Sequence, residues 1–173
     1  MFWLKIIKDI IKIFREGQSP SQIAGGFALG MMIGLSPSFN LQGIILWLLI
    51  LSLNVNIGAA ILAITFCNLL AYIFDPFFHW IGFQILTADW LKDTWTSIYN
   101  APIAPLTNFN NTVVMGSFIA ALFLFLPVYF CMIKIVNLYR KNFYSKIQKL
   151  KIYQILLGND LVKWYIKIRD MKI

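Results

Sequence analysis

The feature that most constrains this chain is the place its charge avoids. Between residues 17 and 133 there is one cation, Lys92, against Asp75, Asp89 and Asp93. The remaining Lys and Arg residues sit at the ends: four in residues 1–16, beside Asp9 and Glu16, and ten in residues 134–173, beside Asp160 and Asp170. A soluble domain carries roughly 25% charged residues over its surface. This chain has 13%, with 60% hydrophobic residues and a mean hydropathy of +0.73. A fold of 173 residues cannot hide that much apolar surface, so lipid is expected to cover part of it.

The net charge of +8 is segregated in a way that no nucleic-acid footprint is, and nucleic acid is excluded as a partner. Short flanking segments rich in Lys and Arg stay on the cytoplasmic side of a membrane. Both termini are therefore expected in the cytoplasm, with an even number of crossings between them. The first residues alternate charge with apolar side chains and offer no small-residue cleavage site, unlike a cleavable signal peptide. Their spacing predicts an amphipathic helix over residues 1–18, with Trp3, Ile6, Ile7, Ile10, Ile13 and Phe14 toward lipid.

The membrane domain is expected over residues 19–136. Two apolar runs, Ile23–Leu35 and Leu41–Leu53, are each 13 residues long and are joined by Ser36-Pro37-Ser38-Phe39-Asn40. At 1.5 Å per residue each reaches only about 20 Å, against a hydrocarbon core of about 30 Å. Either they form a re-entrant helical hairpin or they are two tilted, lengthened spans. The run Ile57–Phe74 is long enough to cross and is expected to stop at Asp75-Pro76, and Val113–Val136 makes the last span. Residues 75–112, rich in aromatics, Pro and Asn, are expected outside as an interfacial segment. Residues 137–173 read as a basic cytoplasmic tail of two amphipathic helices broken at Gly158-Asn159-Asp160. The fold class is thus an all-α integral membrane protein of short or broken transmembrane helices, with two full spans plus a re-entrant hairpin, or four spans, and interfacial helices at both ends.

Gly26, Gly30 and Gly34 recur every four residues on one helical face. In lipid, where hydrophobic exclusion cannot drive helices together, such a stripe lets a second backbone approach closely. Ala59, Ala63, Cys67 and Ala71 form a matching stripe, and Gly116 with Ala120 a shorter one, so these faces are expected to pack on one another or on a partner. Gly26 with Pro37 is echoed by Gly116 with Pro127, a faint sign of an internal repeat. Cys67 and Cys131 lie in apolar runs without CxxC or metal spacing and read as packed thiols. The polar candidates are Pro37 and Asn40 at the hairpin turn, Asn68 in mid-span, and Asp75 with His79 four residues on, an acid and imidazole that can pair. No nucleophile elbow, phosphate loop or metal-ligand spacing accompanies them, so no catalytic residue, metal or cofactor is expected.

The segment from Ser19-Pro20 to Ser36-Pro37 carries Pro20, Ile23, Ala24, Gly26, Phe27, Ala28, Gly30, Gly34 and Pro37. It resembles an uncharacterised family of small bacterial inner-membrane proteins, a domain of unknown function with a Pro-x-x-Ile-Ala-x-Gly-Phe-Ala-x-Gly-x-x-x-Gly-x-x-Pro signature. Asn54, Asn56, Asn68, Asp75, Pro76 and Gly82 are similar to its later positions, and the likeness covers about residues 19 to 135. The resemblance implies the bacterial inner membrane and, from relatives encoded beside a larger membrane-anchored envelope protein, such a protein as partner alongside membrane lipids. The leading expectation is a non-enzymatic subunit docking that protein, in lipid transport or envelope maintenance. The alternative is a small-solute or lipid permease using the hairpin, and a membrane enzyme built on Asp75 and His79 is a distant third.

Overall fold

A computed structural model describes residues 18–36 and 40–143. The expected amphipathic helix over 1–18, the tail helices around Gly158 and the turn residue Pro37 lie outside the described residues. The chain divides into two units, residues 1–134 and 135–173. Among the described residues of the second are the last turn of the final long helix and a π-helical turn, Tyr139–Phe143.

Among the described residues, four helices form the body of the first unit. Helix α1 (Pro20–Leu35) starts where the sequence supplies a complete cap. The Ser19 hydroxyl accepts from the Gln22 backbone N–H, the Gln22 side-chain oxygen accepts from the Ser19 N–H at 2.8 Å, and Pro20 needs no donor at the first helical position. Helix α2 (Leu41–Ser52) is capped by Asn40, whose side-chain oxygen accepts from Gly43 N–H at 2.9 Å. Helix α3 (Ile57–Leu86) is capped by Asn56, which accepts from Ala59 N–H at 2.7 Å.

Helix α3 does not stop at Asp75-Pro76 as expected; it runs through Pro76 for 30 residues, about 45 Å. A proline in mid-helix forfeits one backbone hydrogen bond, but leaving the helix in an apolar setting would strand several. The side chains beyond it, Phe77, Phe78, Trp80, Ile81 and Phe83, keep the helix apolar enough to continue. Its last turn is closed by Thr87, whose N–H and hydroxyl both donate to the Phe83 carbonyl.

Short elements follow, a 3-10 turn Asp89–Leu91, helix α4 (Lys92–Tyr99) and a second 3-10 turn Ala104–Thr107, before α5 (Thr112–Leu138). Asn108 turns the chain with a left-handed φ of 52°. The segment is pinned to the end of α3 by the Trp95 indole N–H, which donates to the Ile85 carbonyl at 3.1 Å, and by Phe109, buried against Trp95 and Tyr99. Among the described residues, two helices are long and apolar enough to cross a membrane, Ile57–Leu86 and Thr112–Lys141. Large apolar side chains stand exposed along α2, α3 and α5, among them Leu48, Leu51, Leu69, Ile73, Phe123 and Leu126.

Candidate functional site

The glycine stripe does on α1 what its spacing calls for. A Cβ added at Gly26 would fall on the Asn56 carbonyl oxygen, one at Gly30 on the Ala60 backbone, and one at Gly34 on the Ile64 backbone and the Cys67 Cβ. The two backbones touch over two turns because three side chains are missing. Asn56 is the anchor: it is 9% exposed, its N–H donates to the Gln22 carbonyl at 3.0 Å, and its side chain caps α3. The glycine face of α1 lies against α3. Ala59, Ala63, Cys67 and Ala71 are all buried, but the backbone nearest the glycines belongs to Asn56, Ala60 and Ile64.

Because both sets of numbers rise together, α1 and α3 run parallel. The end of α1 is level with Ile64–Cys67, about ten residues into α3, roughly 15 Å above its start and 30 Å below its end. The C-terminal end of α1, from which the chain turns to α2, therefore sits beside the first half of α3. Its described polar groups satisfy each other: Asn40 is 3% exposed, donates from Nδ2 to the Ser36 hydroxyl at 3.0 Å and uses Oδ1 as the α2 cap. Asn40 is thus a structural cap rather than an open polar site.

Gly116 does not join the α1 surface. Its Cβ would fall on the Phe78 carbonyl oxygen, and a Cβ at Gly82 would fall on that of Thr112, so α3 and α5 cross antiparallel with glycine against glycine. Ala120 is half-buried beside this core. Gly82 was absent from the expected packing stripes, since no second small residue lies four positions away to mark it. The proposed repeat gains nothing here, because Pro127 lies inside α5 whereas Pro37 follows the end of α1.

The polar candidates on α3 are separated rather than gathered. His79 does not pair with Asp75. Its Nδ1 lies 2.6 Å from the Thr112 hydroxyl at the start of α5. With the helix continuing past Pro76, Asp75 stands inside a candidate span, where the sequence reading had placed no charged residue. Its Oδ1 is sealed from solvent without a hydrogen-bond partner among the described residues. Asn68 is exposed in mid-helix. Beyond α3, a groove of about 360 Å³ opens between Leu86, Trp95, Thr96, Tyr99, Asn100, Phe109 and Asn110.

A half-length helix laid parallel against a long apolar one, with two helices among the described residues long and apolar enough to span, points to a helical, membrane-associated protein. The chain belongs to the family DUF2062, uncharacterised proteins conserved in bacteria, whose model matches residues 5–144. It is similar to an uncharacterised protein of Treponema pallidum (strain Nichols), with 24% identity over 161 residues covering 91% of this chain and 99% of the relative. No solved structure matches it.

Proposed function

We propose that this chain is a non-enzymatic subunit of the bacterial inner membrane that docks a larger, membrane-anchored envelope protein. In this reading α3 and α5 cross the bilayer, α1–α2 is a re-entrant hairpin entering and leaving on the cytoplasmic side, both termini are cytoplasmic, and residues 87–111 lie outside. The hairpin reading is supported by the parallel register of α1 on α3, which carries the end of α1 only about 15 Å along a 45 Å helix.

The observation that carries the docking reading is that, among the described residues, Asn68 has no hydrogen-bond partner and Asp75 Oδ1 has none either, on a helix whose exposed side chains are mostly apolar. Polar groups at membrane depth are costly unless another helix or water meets them. The engagement of His79 with Thr112 also weighs against acid–imidazole catalysis. A mild-detergent pull-down of the natively expressed, tagged protein, followed by mass spectrometry, tests the reading. A stoichiometric envelope protein is expected, and a chain that always isolates alone would sink it.

The depth at which α1 ends along α3 favours a second reading, a permease for lipid or small solutes, a use that broken helices have in membranes. Cysteines placed at Ser36 and Asn40 separate the two. A sealed turn stays unlabelled by a water-soluble thiol reagent, and a conducting one reacts.

A further inference from the structure

Thr65, Asn68, Tyr72, Asp75 and His79 follow one another at spacings of three, four, three and four residues, and Ile61 extends the series by one more step of four. That is the heptad seam along which two helices pack in a left-handed crossing. Off this seam, the other hydrogen-bonding side chains of α3 are Cys67, Trp80 and Gln84. The seam lies beside the buried face that meets α1 and α5, and most of it is uncovered: Ile61 is 52% exposed and Tyr72 75%. Thr65 and His79 have internal partners, the Ile61 carbonyl at 2.9 Å and the Thr112 hydroxyl. Asn68 has none among the described residues, and Asp75 Oδ1 is shielded with no donor in reach.

We infer that this seam is the docking face for a single transmembrane helix of another protein, carrying a basic side chain level with Asp75 and a hydrogen-bonding side chain level with Asn68. The inference rests on the docking reading above and specifies where the partner binds and by what chemistry. Charge complementarity selects the occupant. Two copies of this chain inserted in the same direction would meet about an axis along the membrane normal, setting Asp75 against Asp75. Acyl chains of a lipid offer Asn68 neither donor nor acceptor. A helix with a Lys or Arg and, one heptad away, an amide satisfies both positions, which are about 10 Å apart along the axis.

The test uses the full-length chain in phosphatidylcholine vesicles, with an acceptor dye on the exposed Cys131. The probe is a donor-labelled synthetic Leu/Ala span bearing one Lys and, seven residues away, one Gln. Energy transfer should report binding that weakens roughly fivefold or more when the probe's Lys is replaced by Ala, and equally when Asp75→Asn is introduced. Asp75→Lys should lose the Lys probe and gain one carrying Glu, which shows that the variants still fold. Equal binding of the Lys and Ala probes, or indifference to Asp75→Asn, would overturn the inference. So would self-association of the chain that Asn68→Leu abolishes, since the seam would then belong to a second copy. If the probes fail while the native pull-down still yields an envelope protein, the partner docks elsewhere and only this inference falls. If the pull-down yields nothing, the docking reading itself falls.

Discussion

The two glycine crossings solve the same problem differently. On α1, Gly26, Gly30 and Gly34 lay a continuous strip of backbone against Asn56, Ala60 and Ile64, whereas α3 and α5 meet at one point, Gly82 against Gly116. A strip of three contacts fixes direction, register and depth together, and so determines how far α1 reaches along α3. A single point fixes only proximity. Where α3 and α5 meet, further restraint comes from the His79–Thr112 contact and from the Trp95 and Phe109 packing that closes the segment between the two helices.

The sharpest way to break this comparison is Gly30→Leu, which places a side chain on the Ala60 backbone at the centre of the strip. Overpacking against backbone that cannot yield should cost about 3 kcal/mol or more, read as loss of the folded fraction in a detergent melt. Next is the point contact. Gly116→Ala and Gly82→Ala should each cost about 1–3 kcal/mol in the same assay. The double variant should cost clearly less than their sum, because helices already forced apart tolerate the second methyl. Additive losses would mean that the two glycines do not share one crossing. A smaller effect is expected from Asn56→Ala, about 1–2 kcal/mol, removing the α3 cap while its backbone bond to Gln22 remains. Smallest of all is Gly43→Ala. Its Cβ would meet only the Asn40 side-chain oxygen, at 3.3 Å, so the change should lie within about 0.5 kcal/mol and serves as the glycine without a crossing.

Much of the fold was legible where punctuation is local. Ser19-Pro20, Asn40 and Asn56 announce helix starts through their own side chains, and the half-length runs between them emerged with nearly their expected bounds. The same local logic failed at Asp75-Pro76, because a proline signal is calibrated on helices that can end in water. The helix partner of the glycine stripe was legible and its register was not. Spacing marks which faces are smooth, while the contact between Asn56 and Gln22 that sets the register joins residues 34 apart. The crossing at Gly82 and the His79–Thr112 contact were invisible for the same reason: each is defined by a residue on α5, and no spacing near it in sequence signals it.

The central claim is that α1 and α2 turn back inside the bilayer. Its most direct test is the depth of a fluorophore attached at Ser36→Cys in vesicles, quenched by lipids carrying nitroxides at defined positions. The account predicts strongest quenching by labels near the ends of the acyl chains, at the bilayer centre. Strongest quenching by headgroup labels would contradict it and make α1 and α2 two complete crossings.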